Sequence, residues 1–362
     1  MTHDSWDLEV TRKDLRQRRV APAQAPDARP LASGQALFAI EKLALTANNV
    51  TYAALGELLG YWRFFPSAEG WGRVPAWGYA RVIRSAHDDL DVGERVFGYL
   101  PMSSHVVMNV DQLRPGSLVD AAPHRQSLPP VYNDYQRLAP PTASSPDDED
   151  LNAIFRPLYL TSFLIDDLLE ARALLDVEAV VLTSASSKTA AGLAFLLHQR
   201  AQHPQIIGLT SARSEALVAS MGSYDQVLPY SRLGELSQSG ASVLIDFAGD
   251  AAITGAAHRA LASLRASLRV GATHWDAQSV AAPLPGPSPE LFFAPDRVRA
   301  RMREWGREQF DARYDAAWSA FLPSVRAWLI VDHPHGAAGL DAAFGTLVDG
   351  QSDPARAIVW SP

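Results

Sequence analysis

The stretch VVLTSASSKTAAG, from Val180 to Gly192, runs from an apolar strand through a turn of small polar residues into an alanine-rich helix. Small side chains in such a turn let the backbone approach a pyrophosphate, whose charge then lies at the positive end of the helix dipole. Serine and threonine are also the preferred caps of any helix, so a plain capped helix start is the alternative. The segment predicts a strand–turn–helix unit that suits phosphate.

Strands and helices alternate on both sides of this stretch. A long apolar helix is predicted ahead of it, over Leu158–Leu175, and later helices over Ala251–Ser267 and Asp296–Leu322. Strands that alternate with helices at this pitch predict a doubly wound, Rossmann-type parallel sheet, and we place this α/β domain at residues 151–317. Its strands are predicted at Ala179–Leu182, Ile206–Leu209, Val227–Leu228, Ser242–Phe247 and Ser267–Ala272.

The first part of the chain has a different texture. Short alternating apolar runs, broken by turn residues, predict antiparallel strands at Gln35–Leu43, Trp77–Ile83, Arg95–Leu100 and His105–Asn109. The stretch Leu113–Asp150 is rich in Pro, Ser and Asp and predicts a loop-like domain boundary. We therefore expect a mostly antiparallel β domain formed by residues 1–150 and 318–362.

The composition excludes several classes of protein. The 362 residues are enough for two domains, and a net charge of −8 without a basic run argues against nucleic-acid binding. The absence of cysteine excludes disulfides, thiolate metal sites and a cysteine nucleophile. No signal peptide or membrane span is predicted. We expect a cytoplasmic protein that acts on a small molecule, with no nucleic-acid or membrane partner.

The end of the second predicted strand indicates which nucleotide would bind. NAD-binding folds place a carboxylate there for the ribose hydroxyls, whereas NADP needs positive charge for its 2′-phosphate. Here Thr210, Ser211 and Arg213 follow the strand, and the first carboxylate is Glu215. The pattern favours NADP over NAD. The alternative is that Arg213 is a solvated residue at a helix start.

A phosphate loop of the Walker type, GxxxxGK[ST], is a further alternative for this turn. Lys188-Thr189 fits the end of that pattern, but Leu182 and Ser187 stand at its two glycine positions. Those positions need backbone conformations or close approaches that favour glycine. The Walker interpretation is therefore disfavoured.

Several short segments follow one another in the order of a known superfamily. They are Arg95–Tyr99 after Val92-Gly93, Leu160–Ser162, Ile207–Gly222, Val243–Gly249, Leu268–Thr273, Ala342–Phe344 and Ala357–Val359. In this order and spacing the chain, from about Gln35 to Trp360, resembles an uncharacterised branch of the zinc-independent medium-chain dehydrogenase/reductase superfamily, which includes quinone and enoyl reductases.

The chain departs from that superfamily at two motifs. The three positions of its glycine-rich turn, GxxGxxG or AxxGxxG, correspond to Ser184, Ser187 and Ala190. The GHE motif of the zinc alcohol dehydrogenases corresponds to Ala76-Trp77-Gly78. Because cysteine is also absent, the catalytic zinc of those enzymes has no ligands here, and no metal site is expected.

The resemblance implies a GroES-like substrate domain, an NADP-binding domain and pairing of two copies. It also implies hydride transfer from NADPH to an activated acceptor, such as an enone, an enoyl thioester or a quinone. The cofactor-binding residues that it implies are Thr161, Ser184, Ser186, Ser187, Lys188, Thr189, Thr210, Ser211, Arg213, Tyr230, Ala248, Gly249 and Gly271.

The resemblance places the loop after the first long strand near the nicotinamide. Its candidate catalytic residues are Thr46, Asn49, Tyr52 and Tyr61, with Asn48 beside them. A tyrosine there could act as an acid or as a hydrogen-bond donor to an oxyanion. The alternatives are a turn role for each asparagine and a packing role for each tyrosine.

Other residues allow two interpretations. The aromatic residues Trp62, Phe64, Phe65, Trp71 and Trp77 could line a substrate pocket or belong to the core. The altered glycine positions favour a second function, a non-enzymatic nucleotide-binding or scaffold protein that retains the fold. A lyase or dehydratase activity is a third and weaker hypothesis.

Overall fold

The structure, a computed structural model, describes residues 5–114, 116–138, 146–238, 240–270 and 283–362. The chain forms two compact units. Unit 1 consists of Met1–Ile154 and Val331–Pro362, and unit 2 of Phe155–Ile330. Among the described residues, no helix combines the length and the apolar character of a membrane-spanning segment.

Strands and helices follow one another along the chain with these bounds: β1 (Trp6–Thr11), β2 (Arg18–Pro22), β3 (Gln35–Leu45), α1 (Ala47–Ala54), β4 (Trp71–Gly72), β5 (Pro75–Ser85), β6 (Arg95–Pro101), β7 (His105–Arg114), β8 (Ser117–Asp120), β9 (Asp134–Leu138), α2 (Pro146–Ala171), β10 (Ala179–Leu182), α3 (Lys188–His198), β11 (Gln205–Thr210), α4 (Glu215–Ser220), β12 (Gln226–Pro229), β13 (Ser242–Asp246), α5 (Ala251–Ala260), β14 (Leu264–Arg269), β15 (Glu290–Leu291), α6 (Ala294–Trp305), α7 (Arg307–Arg326), β16 (Ile330–Asp332), α8 (Gly336–Val348) and β17 (Arg356–Trp360).

Unit 1 contains a closed antiparallel barrel. Its strands pair in the order β3-β5-β6-β9-β8-β7, and β7 pairs back onto β3. Strands β17 and β16 extend the sheet beyond β3, and β2-β1-β4 form a separate small sheet. The stretch that the sequence predicted as a loop contains β8 and β9. The sequence did not predict these short strands because they carry little pattern of their own and are stabilised by pairing within the barrel.

Unit 2 contains a parallel sheet in the order β12-β11-β10-β13-β14-β15. Within this unit that is the third, second, first, fourth, fifth and sixth strand, which is the Rossmann order. Alternate residues of β10 pack into two different apolar clusters, Val180 and Leu182 in one and Val181 in the other. Both faces of the sheet are therefore buried, which explains why its strands are continuous apolar runs.

Two predicted helices are shorter than expected. The helix predicted over Asp296–Leu322 is two helices, since Gly306 between α6 and α7 has φ +75°. The helix predicted over Ala251–Ser267 ends at Ala260, and β14 begins at Leu264.

The predicted boundary at 317/318 falls inside α7, whose Phe321 stacks on Tyr159 of α2 with ring centroids 4.5 Å apart.

Candidate functional site

Ligands of doubly wound sheets bind at the carboxyl ends of the strands, where the strand order reverses. In unit 2 this reversal lies between β10 and β13, which are neighbours in the sheet although β11 and β12 separate them in sequence. Two turns leave the sheet at this position. We call residues 183–187 the β10 turn and residues 247–250 the β13 turn.

The β10 turn follows an unusual backbone path. Ser184 has φ +49°, in the left-handed region that residues other than glycine rarely adopt. Ser187 caps α3, because its hydroxyl accepts the N–H of Ala190 at 3.3 Å, and its own N–H donates to the Ser184 carbonyl at 2.7 Å. The serine at the first glycine position of the resemblance thus has a backbone conformation that usually requires glycine.

Contacts from the neighbouring strand fix the β10 turn. The N–H of Ala185 donates to the Leu209 carbonyl at 2.9 Å, and the Tyr224 hydroxyl donates to the Ala185 carbonyl at 2.8 Å. Gly208 makes this approach possible, since a Cβ there would lie 2.8 Å from the Tyr224 ring and 2.9 Å from the Ala185 Cβ. The turn is therefore held in place independently of any ligand.

Tyr230, directly after β12, also contacts the β10 turn. Its hydroxyl accepts the N–H of Ser184 at 2.9 Å. Burial raises the pKa of Tyr230 to about 12, although the bond from the Ser184 N–H opposes that rise. The hydroxyl is therefore protonated at neutral pH and keeps a hydrogen to donate, while one amide of the turn is already occupied.

A buried carboxylate joins the two turns. Asp246, only 1% exposed, accepts a hydrogen bond from the Thr183 hydroxyl at 2.6 Å and from the Thr254 hydroxyl at 2.7 Å. It also accepts the N–H groups of Ala248 at 3.0 Å and Gly249 at 3.2 Å. Two predicted cofactor-binding residues, Ala248 and Gly249, therefore direct their amides toward Asp246.

The residues after β11 differ from one another in exposure. Thr210 is buried, and the Ser211 hydroxyl donates to the Ser214 hydroxyl at 3.1 Å. Arg213 is exposed, and within the described ranges its guanidinium makes no hydrogen bond or ion pair. A cation at this strand end is thus available to a ligand.

The other predicted cofactor-binding residues lie along α3 and α2. Ser186, Lys188 and Thr189 are half-buried at the beginning of α3, and Thr161 is half-buried in α2. The hydroxyl of Ser162, next to Thr161, donates to the Thr189 carbonyl at 2.7 Å and so joins the two helices. Gly271 lies outside the described residues.

In unit 1, two predicted catalytic residues form a cap at the beginning of α1. The N–H of Thr46 donates to Asn49 Oδ1 at 2.7 Å, and Asn49 Nδ2 donates to the Pro75 carbonyl at 2.8 Å. Asn49 is only 2% exposed. Both ends of its amide are bound to backbone groups, which is the arrangement of a structural turn residue.

The two predicted catalytic tyrosines belong to a buried group that we call the tyrosine cluster: Tyr52, Tyr61, Tyr99 and Tyr132. The hydroxyls of Tyr61 and Tyr132 share a hydrogen bond of 3.2 Å, and Trp77 Nε1 donates to the Tyr52 hydroxyl at 3.1 Å. The buried hydroxyl of Tyr99 has no hydrogen-bond partner in the part of the chain that the structure describes. The structure thus brings Tyr52 and Tyr61 together.

Burial keeps these hydroxyls protonated. It raises the pKa of Tyr61 to about 12 and the pKa of Tyr52, Tyr99 and Tyr132 further above the usual value. A negatively charged tyrosinate is costly in an apolar environment, because it loses its hydration. The cluster therefore offers neutral hydrogen-bond donors and no base at physiological pH.

Arg125, which the sequence placed in a loop, is buried behind the cluster. Its guanidinium donates to the Tyr135 hydroxyl at 3.0 Å and to the Phe64 carbonyl at 3.2 Å, and it pairs with Asp120 at 3.2 Å. With Trp62, Phe64 and Phe65 also buried, these aromatic side chains are part of the core. The arginine is fully engaged in holding that core.

Comparison with known protein families identifies the chain. The model of a family described as "Protein of unknown function (DUF2855)" matches residues 43–353, which is most of the sequence. The chain belongs to the DUF2855 family. The sequence matches none of the curated proteins with which it was compared.

Solved structures share the fold of this DUF2855 chain. CurA from Vibrio vulnificus in complex with NADPH has a TM-score of 0.65 at 12% identity, over 98% of each chain. A mutant form of enoyl thioester reductase from Candida tropicalis has a TM-score of 0.58 at 11% identity, over 99% of this chain and 100% of the other. Mycobacterial Rv1454c complexed with NADPH has a TM-score of 0.56 at 16% identity, over 99% of this chain and 100% of the other.

These likenesses confirm the predicted fold class of the DUF2855 chain, a Rossmann-type parallel domain with a GroES-like antiparallel β domain. Two further structures with this fold are the CurK enoyl reductase, with a TM-score of 0.58 at 13% identity, and the mitochondrial 2-enoyl thioester reductase heterodimer from Candida tropicalis, with a TM-score of 0.58 at 12% identity.

The sequence did not predict a role for three residues of this arrangement. They are Tyr99 and Tyr132 of the tyrosine cluster and Thr254, whose hydroxyl donates to Asp246. Tyr132 lies in a short 3-10 turn, Pro130–Tyr132, inside the stretch predicted as a loop. No local pattern distinguishes it from a surface tyrosine, because barrel closure alone brings it to Tyr61. For Tyr99 one signal was available: side chains alternate between the two faces of a strand, and Tyr99 occupies a position of β6 that faces the core.

Proposed function

We propose that this DUF2855 chain is a zinc-independent, NADPH-dependent oxidoreductase that passes hydride to an activated acceptor such as an enone, an enoyl thioester or a quinone. Unit 2 is the proposed NADP-binding domain and unit 1 the proposed substrate domain. One observation carries the proposal: at the strand-order reversal of unit 2, Ser184 has a left-handed backbone conformation three residues before Ser187, the N-cap of α3. Dinucleotide-binding folds have a tight, glycine-containing turn at this place.

The residues around the β10 turn fit a diphosphate. The N-terminus of α3, a helix of 11 residues, supplies the positive end of a dipole. Ser186 and Thr189 supply hydroxyls, and Lys188 supplies a charge at the same helix end. The turn is rigid, so its donors are oriented before a ligand arrives and little ordering entropy is lost on binding.

Arg213 supports NADP as the cofactor. Its exposed guanidinium, with no partner among the described residues, could neutralise a 2′-phosphate, and no carboxylate precedes Glu215 on this segment. We therefore expect NADPH to bind more tightly than NADH.

The tyrosine cluster suits an acceptor that develops negative charge on oxygen. When bound, NADPH supplies the hydride. The neutral hydroxyls of Tyr52 and Tyr61 can donate hydrogen bonds to the acceptor oxygen or supply its proton, since burial keeps both pKa values well above neutral pH. We propose Tyr52 and Tyr61 for this role and assign Thr46 and Asn49 to positioning α1.

Titration calorimetry with NADPH and NADH tests the cofactor assignment. Arg213→Ser should weaken NADPH binding by about 10–100-fold, the loss of one charge-assisted hydrogen bond of about 1.5–3 kcal/mol, and should leave NADH binding unchanged. Arg299→Ser is the control, because Arg299 is exposed and paired with Asp296 on α6. Failure of the wild-type chain to bind either dinucleotide would refute the proposal.

Ser187 provides a test of the turn with a matched control. Aspartate and asparagine cap helices as well as serine does, so Ser187→Asp and Ser187→Asn should both fold. The aspartate adds a negative charge beside phosphate and should weaken NADPH binding by about tenfold or more, whereas the asparagine should change it little. Equal affinities of the two variants would remove this turn from the site.

A second function, nucleotide binding without catalysis, is favoured by one observation. The N–H of Ser184 is already bound to the Tyr230 hydroxyl, which leaves the turn with one amide fewer for a ligand. Oxidation of NADPH in the presence of a panel of enones, enoyl thioesters and quinones distinguishes the two. Binding without turnover across the panel would support the non-enzymatic function.

A further inference from the structure

Three side chains of the kind that bind metal ions meet in unit 2. They are His198, His203 and Asp225, and one ligand atom from each lies within 4.8 Å of the other two. Three segments contribute them: His198 is the last residue of α3, His203 lies in the loop before β11, and Asp225 directly precedes β12.

Their position in the sheet separates them from the candidate dinucleotide site. β11 and β12 are parallel neighbours, and His203 and Asp225 both precede them, at the amino ends of the strands. The β10 turn and Arg213 lie at the carboxyl ends. Six residues of β11 separate the two edges, which is roughly 20 Å of extended chain.

The carboxylate is held in place by backbone. Asp225 Oδ2 accepts the N–H of Ile206 at 2.7 Å, and the N–H of Asp225 donates to the Ile206 carbonyl at 3.0 Å. Ligating carboxylates in metal sites have this kind of supporting hydrogen bond. The carboxylate is therefore oriented toward the imidazoles before any ion arrives.

The histidines are arranged as a pair beside that carboxylate. Their ring centroids are 5.3 Å apart, and His203 Nδ1 lies 3.8 Å from Asp225 Oδ2 and 3.0 Å from the Pro204 carbonyl. Two atoms that each lie about 2.0–2.2 Å from one zinc ion can be up to about 4.4 Å apart. The 4.8 Å that bounds the separations of the three ligand atoms is close to that limit.

The end of α3 adds a favourable field. The carbonyl groups of the last helical turn carry partial negative charge, which stabilises a cation at this end of a helix. His198 occupies that turn in a helix of 11 residues. Two imidazoles, one carboxylate and this field together match the preference of zinc and similar divalent transition metals for mixed nitrogen and oxygen ligands.

We infer that His198, His203 and Asp225 form a binding site for a divalent transition-metal ion of the zinc type, with water completing its coordination. The ion would join the end of α3 to the beginnings of β11 and β12. Its role is structural and separate from hydride transfer, so the inference does not depend on the proposed function.

Calorimetric titration with Zn²⁺ alone, on the full-length chain without a histidine tag and after treatment with EDTA, tests the site. We expect one zinc ion per chain. Loss of a partner that merely orients a ligand lowers metal affinity by about 10–100-fold, so His198→Gln and His203→Gln should each lower it by at least that factor. The control is a double variant, His333→Gln with His335→Gln, which removes two histidines of unit 1 that one proline separates in the sequence and should bind zinc like the wild type.

Thermal unfolding guards against variants that fail to fold. Zinc should raise the Tm of the wild type and of the control, but not that of either site variant, whose metal-free Tm should match the wild type. Anomalous diffraction at the zinc edge from wild-type crystals locates the ion without any variant. The inference fails if wild-type protein takes up no zinc at millimolar concentration, if both site variants bind zinc as the wild type does, or if the ion lies at other residues.

Discussion

Polar groups are exposed to water at the carboxyl edge of the parallel sheet and buried in the tyrosine cluster. At the sheet edge, Asp246 accepts hydrogen bonds from both turns, and the charged side chain of Arg213 remains exposed. In the cluster, the hydroxyls of Tyr52, Tyr61 and Tyr132 bind one another or Trp77 and are shielded from water. One region keeps charge accessible, and the other excludes it.

This difference indicates what each region can bind. A phosphate is stabilised by the positive end of a helix dipole and by an exposed cation, which the beginning of α3 and Arg213 supply at the sheet edge. A neutral oxygen acceptor needs donors that stay protonated, and burial maintains that state in the cluster. The contrast is consistent with the proposed assignment of nucleotide and acceptor to different units. Substitutions at three positions, Asp246, Tyr61 and Ser184, test its physical basis.

The largest effect is expected from removing the carboxylate that organises the sheet edge. Asp246→Ala removes the acceptor of the Thr183 hydroxyl and of the Gly249 N–H, both in a buried site, and should lower the free energy of unfolding by about 3–5 kcal/mol. The Thr254 hydroxyl and the Ala248 N–H each keep a second acceptor, the Asp250 carbonyl at 2.8 Å and Thr183 Oγ1 at 3.2 Å. Urea denaturation followed by circular dichroism measures this. Asp250→Ala is the control, because Asp250 caps only α5, and it should cost about 1 kcal/mol. Equal losses in the two variants would show that the hydrogen bonds of Asp246 contribute no more to stability than a helix cap does.

The second effect concerns the exclusion of charge from the cluster. Unfolded tyrosine ionises near pH 10, whereas folded Tyr61 stays protonated up to about pH 12. The folded state therefore holds more protons across this interval, and its stability must fall as the pH rises. Two pKa units correspond to about 2–3 kcal/mol. Tyr61→Phe has no ionisable group at this position. Between pH 9 and pH 12 its free energy of unfolding should therefore fall by about 2–3 kcal/mol less than that of the wild type, as measured by urea denaturation at each pH. A parallel decline of wild type and variant would place the Tyr61 hydroxyl in water.

The smallest effect concerns the backbone of the β10 turn. Ser184→Gly and Ser184→Ala both remove the hydroxyl and differ only in their tolerance of the left-handed conformation. The glycine variant should be the more stable by about 0.5–1 kcal/mol. At Ser319, in the middle of α7, the same pair should have the opposite order, since glycine weakens helices. If alanine were better at both positions, the turn would not have the backbone that a dinucleotide needs.

The sequence predicted the parallel sheet well because its strands are buried on both faces and its helices lie between them along the chain. It predicted the β10 turn as a unit, since Leu182, Ser187 and the alanines of α3 are local signals. It did not predict β8 and β9, whose partners are distant strands, nor the break at Gly306, where one glycine interrupts a continuous helical pattern. For the candidate site it predicted Tyr52 and Tyr61, which the structure places in one cluster, and Asn49, whose amide the structure binds to backbone groups at both ends.

By itself the sequence determined the order of strands and helices, the apolar faces and the absence of thiol chemistry, because these depend on residues close together along the chain. Only the tertiary structure decided that Thr183 meets Asp246 across 63 positions, that four tyrosines share one buried space, and that two histidines meet an aspartate at the amino edge of the sheet. Such meetings depend on which strands pair and in what register. That choice minimises the free energy of the whole chain, and no local pattern encodes it.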